Sequence, residues 1–308
     1  MVIKMIKYST VSLLLISSAT LLSSQSVQAD MKDIISANSQ IGAQFVTTDV
    51  DYTEISQEGI KADTEKSFVP GFGISLSVMK NLVFGNDYIA FQFSQLSGNT
   101  DYTGGINTPL VLSATPSNFG SVVQSDGAEL IDFSGRIGKG FELNNSIMLT
   151  PYFEIGHHNW KRQINTTLPV FTAINSNSSI SKEDYNNYYF GFGAMGQITP
   201  INKLVITANA MIGSIFSPTM SSTGTPLVFG AIGPSTVSNN YNLGTSIIYK
   251  FGLSFDYAFY QNFHVNAGAE YSGFDYGKSS MTSTIPSSYE PFSQTNYTTV
   301  KAGFGYSF

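Results

Sequence analysis

Three histidines, His157, His158 and His264, together with 21 carboxylates, are the side chains of this 308-residue chain with the means to do acid–base chemistry. A hydrolytic base has to sit within hydrogen-bond reach of a water or hydroxyl and be oriented by a third group. Glu154, His158 and Trp160 differ by even numbers, so in an extended strand they share one face, and His157 points to the other. At most one histidine of the pair can therefore join Glu154. A histidine at the rim of a polar loop is read as a solvated hydrogen-bonding residue, and no catalytic residue is assigned. Three scattered histidines and no cysteine do not make the clustered N/S ligand set of a zinc site, so neither a metal nor a cofactor is expected.

The elements that would position these groups are strands. From Leu243 to Phe259 every odd position is a large apolar or aromatic residue, Thr245 apart, while Asn242, Gly244, Ser246, Lys250, Gly252, Ser254, Asp256 and Ala258 fill the other face. That is a period of two, with one oily and one wet face. The same pattern recurs in ten segments, roughly 38–53, 67–80, 87–97, 128–141, 146–163, 185–199, 203–217, 241–260, 262–277 and 296–308. Short links at 80–86, 142–145, 200–202 and 260–262 alternate with long ones near 54–66, 98–127, 164–184, 218–240 and 278–295. An even number of strands, short turns on one rim and long loops on the other predict an all-β, antiparallel transmembrane β-barrel with both termini periplasmic. Ten strands is the count adopted, and eight or twelve are the alternatives that shifted segment boundaries would give.

Composition agrees. With 42% apolar, 13% aromatic and only 12% charged residues, an ordinary soluble surface, a disordered chain and, for want of long apolar runs, a helical membrane protein are all disfavoured. A net charge of -6 gives no electrostatic case for nucleic acid. Residues 1–29 carry Lys4 and Lys7, an apolar stretch from Val11 to Leu22, and Val27-Gln28-Ala29 before Asp30, which reads as a cleaved secretory signal; residues 30–308 are then one barrel domain. Without cysteine there is no disulfide framework and no thiol for a lipid anchor.

The register places charges inside. Asp132, Arg136, Glu154, Lys250, Asp256, His264, Glu270 and Lys301 fall on the face opposite the apolar one, with Gln40, Gln44, Gln92, Tyr189, Gln197 and Asn209. Four carboxylates against three permanent cations offer near-balanced pairing, which a narrow polar interior needs. A salt-bridged plug and a narrow ion path are both compatible with that set. A soluble sandwich would explain the local alternation but not such long strands.

Aromatic residues gather where strands meet links: Phe84, Tyr88, Phe141, Phe259, Tyr260, Phe263, Tyr306 and Phe308 at the short-turn end, and Tyr52, Phe68, Trp160, Tyr185, Tyr271 and Tyr297 at the other. Two bilayer-interface girdles are the expectation. The last strand, with Val300, Ala302, Phe304, Tyr306 and the terminal Phe308 at alternate positions, resembles the C-terminal signal of bacterial outer-membrane proteins. That resemblance implies recognition by the barrel-assembly machinery and, as partners, outer-membrane lipid and lipopolysaccharide.

The strand plan also resembles that of the omptin proteases over the whole chain. Their chemistry requires an acidic pair facing an Asp-x-His pair; here Ile155, Gly156 and Asn262 stand two positions before the histidines, and Ser217-Pro218-Thr219-Met220 has neither acid nor imidazole. The likeness is architectural, and architecture does not carry function.

Three of the long loops share an apolar motif, around Pro109-Leu110-Val111-Leu112, Pro169-Val170-Phe171 and Pro226-Leu227-Val228-Phe229. They either pack together as a cap or present an apolar patch to a host surface or partner. The first loop, with Glu54, Glu58, Lys61, Asp63, Glu65 and Lys66, is expected to be solvated and mobile. The functional expectation is a non-enzymatic outer-membrane surface protein acting in adhesion or recognition through its loops. The alternatives are a narrow pore for ions or small solutes and a rim-sited hydrolase.

Overall fold

A computed structural model describes residues 30–56, 59–104, 119–120, 122–166, 179–224, 237–281 and 289–308. A short helix, α1 (Met31–Ala37), precedes twelve strand segments: β1 (Gln40–Ile55), β2 (Lys61–Lys80), β3 (Asp87–Gly104), β4 (Val122–Lys139), β5 (Phe141–Asn144), β6 (Ile147–Thr166), β7 (Ser179–Ile201), β8 (Leu204–Gly224), β9 (Val237–Asn242), β10 (Ile247–Tyr260), β11 (Phe263–Tyr276) and β12 (Phe292–Ser307). The short β5 continues β4 along β6, and β9 continues β10 along β8, so the wall has ten staves. All pairings are antiparallel, and β12 pairs with β1 from Gln40↔Ser307 to Ile55↔Phe292, which closes the cylinder.

The alternation of the sequence becomes the two faces of this wall. Phe45, Phe72, Ile74, Phe91, Phe133, Ile137, Phe192, Ile212, Phe251 and Phe304 point outward, forming a lipid-facing band. Along the lipid-facing band the ring of pairings is continuous, which is what allows a sheet to stand in hydrocarbon at all. The strands are taller than the band. At about 3.3 Å per residue and a tilt of about 40°, the 20 residues of β6 rise roughly 50 Å, about twice the ~25 Å apolar belt of such barrels. Above the band the outer face turns polar, with Asp51 pairing Lys66 at 3.0 Å and Glu129 pairing Lys161 at 3.5 Å.

Three sequence expectations are corrected by this wall. Strand pairing runs far into the stretches read as loops, to Ile55 and from Lys61, to Gly104 and from Val122, and to Thr166 and from Ser179. Asp63 and Glu65 of the supposedly solvated first loop are buried. The segment from Leu243 is not one continuous strand, because Leu243 is buried and Gly244 bridges to Gly277 before β10 begins. A bulge in β8 at Ser217, whose φ is 50°, resets the alternation, so that Ile215 and Met220 both face inward across it.

Candidate functional site

Inward side chains fill the lumen in layers. At the short-turn mouth of the barrel lies α1, which the sequence reading missed. Asp30 caps it by accepting from the Lys32 amide at 3.0 Å, and Ile34 is wholly buried. The amides of Asn38 and Gln197 exchange hydrogen bonds of 2.6 and 3.2 Å, and Gln197 also donates to the Thr207 hydroxyl at 3.1 Å. Ser36 Oγ lies 3.1 Å from His264 Nε2, while His264 Nδ1 lies 2.5 Å from Asp256, whose other oxygen accepts from Gln40. The segment leading into β1 is thus tied to several staves and sits across the opening.

At membrane depth Glu154 is the hub. It accepts from Arg136 Nε at 2.6 Å, Lys250 Nζ at 2.9 Å and the Tyr189 hydroxyl at 3.0 Å, and Lys250 also donates to Tyr189 at 2.7 Å. Glu270 stands 3.9 Å from Arg136. Gly156 makes this possible: a Cβ there would collide with the Tyr189 ring and hydroxyl, so only glycine lets the phenol cross to Glu154. A fully desolvated carboxylate is stable here because two cations and a hydroxyl replace its water.

One layer higher, His158 is buried between Asp132, 2.7 Å from Nδ1, and the Tyr297 hydroxyl, 3.1 Å from Nε2. This corrects the expectation of a solvated rim histidine. His157 sits on the opposite face against Tyr188, as strand geometry requires. Both nitrogens of His158 are committed to protein partners. A polar cavity of about 100 Å³ lies beside it, and a separate one of about 140 Å³ lies above α1, with Gln44, Gln92, Glu270 and Lys301 in the walls of both.

Above the lipid band is a cluster that the sequence reading did not assemble. The buried Arg162 pairs with Glu65 at 2.6 Å, Glu183 at 2.9 Å and Asp63 at 3.8 Å, and its guanidinium lies 5.0 Å from the Tyr52 ring and 5.3 Å from Trp160. Tyr52, Trp160, Tyr185 and Tyr276 pack around it, with Tyr52–Trp160 and Trp160–Tyr185 ring centroids 5.0 and 5.6 Å apart. Glu290 reaches in from the β11–β12 connection, where Ser279 holds its backbone at both N–H and C=O, and accepts the Tyr185 hydroxyl at 2.5 Å. Burial first, then the Glu183 charge, pushes the Glu290 carboxyl up to about 8. Burial also raises Glu54, Asp63 and Glu183, since Arg162 is the one guanidinium they share.

All eight predicted luminal charges face the interior, but they do not form one network. Arg136, Glu154, Lys250 and Glu270 come together; Asp132 goes to His158, Asp256 goes to His264, and Lys301 stands apart. The upper aromatic girdle is mostly overturned, because Tyr52, Trp160, Tyr185 and Tyr297 are buried in the lumen and only Phe68 and Tyr271 face out. In the lower girdle Tyr88 is buried, whereas Phe84, Phe141, Phe259, Tyr260, Phe263, Tyr306 and Phe308 are exposed. Phe304, Tyr306 and Phe308 thus keep the outward face proposed for the assembly signal. Leu110, Val111, Val170, Phe171, Leu227, Val228 and Phe229, like residues 1–29, lie outside the described residues.

No protein-family model matches the chain, and no curated protein matches its sequence. Among solved structures it is similar to the outer membrane protease OmpT from Escherichia coli, with a TM-score of 0.54 at 11% identity over 88% of this chain and 97% of the other. It has the fold of an outer-membrane β-barrel. Looser matches to this barrel are a major outer membrane protein from Thermus thermophilus (TM-score 0.39, 8% identity, 86% of this chain and 99% of that one) and Ail, the attachment invasion locus protein of Yersinia pestis (TM-score 0.30, 13% identity, 88% and 99%). At 11% identity the likeness to OmpT shows the fold alone, and chemistry is not inherited.

Proposed function

We propose that the chain is a non-enzymatic surface protein of the bacterial outer membrane whose extracellular face serves adhesion or recognition. The observation that carries this reading is the obstructed lumen beneath a tall wall: α1 crosses the short-turn mouth, the Glu154 hub crosses the middle, and the Arg162 aromatic cluster crosses the top. With the interior spent on packing, what the fold offers to the outside is the extramembrane part of β1–β4 and β6–β9 and the connections it supports. Against a hydrolase weighs the commitment of His158 to Asp132 and Tyr297, which leaves no ring nitrogen to take a proton from water.

Two measurements test the proposal. In planar bilayers the purified barrel is expected to give no steady openings; regular openings altered by Lys250→Met or Arg136→Met would favour the narrow-pore reading instead. In a cell-binding assay, Val111→Asp, Val170→Asp and Val228→Asp together are expected to abolish attachment while the barrel stays folded. Unchanged attachment would refute recognition through those segments.

A further inference from the structure

The lipid-facing wall is not evenly covered. One outward row runs Phe263–Tyr306–Ile41–Leu76–Phe91 across β11, β12, β1, β2 and β3. The next row, two residues nearer the long loops, runs Val265–Phe304–Ala43–Ile74–Phe93–Phe133. Ala43 is the one small side chain in the two rows, and its neighbours Phe304 and Ile74 both stand exposed on the outer face. A lone methyl group between a ring and a branched chain leaves a dent. The wall there holds a hollow of about 660 Å³, bounded by Ile41, Ala43, Leu76, Phe91, Phe304 and Tyr306 among others. That is within the ~300–1,000 Å³ of small-molecule sites, and its walls are the outward side chains, so it opens on the bilayer.

A charge stands beneath it. Lys80 lies four residues beyond Leu76 on β2, so it has the same outward parity and sits roughly 13 Å further towards the short-turn rim. Its ammonium leans over the Phe308 ring, 5.5 Å from the centroid, and Phe308 continues the outward column of Phe304 and Tyr306. Lys80 therefore stands under the rim end of the hollow. Its cross-strand neighbour Asp87 is already engaged, because that carboxylate turns back onto the amides of Leu82, Val83 and Phe84 at 2.9, 2.7 and 3.1 Å. Among the described residues Lys80 has no ion pair within 4.0 Å. A lysine on a lipid-facing surface lays its stem along apolar groups and carries its charge to the headgroup layer. An apolar hollow with an ammonium one headgroup's reach below it has the two-part chemistry of a single lipid.

We propose that the face built by β12, β1, β2 and β3 retains one glycerophospholipid of the leaflet at the short-turn rim, with an acyl chain in the hollow over Ala43 and the phosphate on Lys80. The phosphate alone is recognised, so zwitterionic and anionic headgroups both qualify.

The test is native mass spectrometry of the intact barrel, released from detergent in the presence of palmitoyl-oleoyl phosphatidylethanolamine. One lipid per barrel is expected to stay bound once the detergent is stripped. Ala43→Leu fills the hollow from the lipid side and should abolish the retained species, whereas Ala208→Leu, an equally lipid-exposed alanine on β8, should leave it. Lys80→Met should weaken retention roughly tenfold. A diacylglycerol with the same chains has no phosphate and should bind wild type and Lys80→Met alike. A wild-type barrel that sheds all its lipid overturns the proposal, and so does equal retention by Ala43→Leu and Ala208→Leu. Lys80→Met that holds the phospholipid as tightly as the wild type overturns it too.

Discussion

Glu290 is expected to make the mouth at the long-loop end sensitive to pH, and the chain contains its own reporter. Its carboxyl is buried by the β11–β12 connection and faces Glu54 and Tyr52 from β1, Asp63 from β2, Arg162 from β6 and Glu183 and Tyr185 from β7. Burial and the neighbouring carboxylates raise it from an ordinary 4.5 to about 8. A carboxyl raised on folding is neutral in the folded mouth and ionised when released, so the folded mouth binds the extra proton and loses stability as pH climbs between those two values. Each unit in that window corresponds to about 1.4 kcal/mol. From pH 6 to 8 the hold on the connection should therefore weaken by roughly 2–3 kcal/mol. Trp160, the chain's single tryptophan, is buried and stacked 5.6 Å from Tyr185, the residue that donates to Glu290. Loss of that contact lets water in, so tryptophan emission should shift to the red with a midpoint near 8. Glu290→Gln keeps an acceptor for Tyr185 and cannot ionise, so it should abolish the transition and leave the blue-shifted state at high pH. A flat wild-type titration, or the same midpoint in Glu290→Gln, would refute the reasoning.

Three further perturbations have defined outcomes. Arg162→Met strips the guanidinium from Glu65, Glu183 and Asp63, and a broken buried pair costs about 3–5 kcal/mol; the temperature at which the folded species disappears in detergent should fall sharply. Gly156→Ala forces Tyr189 off Glu154, and overpacking of this kind costs about 1–3 kcal/mol, to be read as a lower midpoint in the same assay. Deleting residues 30–37 removes only one of the three obstructions, so current through planar bilayers should stay at the level of the full chain, the Glu154 hub and the Arg162 cluster still closing the lumen.

The cylinder was legible because its signal is local: alternate residues of one strand report its two faces, and turn chemistry reports its short-turn ends, whereas the long-loop ends, where pairing runs on, were not legible. The same parity placed Glu154, His158 and Trp160 together, and the structure keeps them so. What failed were inferences that used height instead of parity. Tyr52, Trp160, Tyr185 and Tyr297 share the inward face of Glu154 or its counterparts and are buried in the lumen, where Tyr52, Trp160 and Tyr185 pack on one another. Arg162 carried the same parity signal and was not followed. Its partners could not be read from the chain in any case, since Arg162 and Glu65 are 97 residues apart, and Tyr185 and Glu290 are separated by 105. The bound helix was missed for a different reason: seven residues are too few to show a helical period, and only Asp30 as a cap hints at it.

The seam between β1 and β12 orders events during biogenesis. Thr48 and Thr299 touch across 251 intervening steps of sequence, and the amide of the final residue, Phe308, donates to Ser39, just past the helix. Contacts so remote form late and slowly. The hoop can be fastened only once β12 lies beside β1, and the stopper, tethered to the first stave, takes its final seat only then. A variant that loosens the seam should thus unseat the stopper as well, so that leakiness and misassembly appear together.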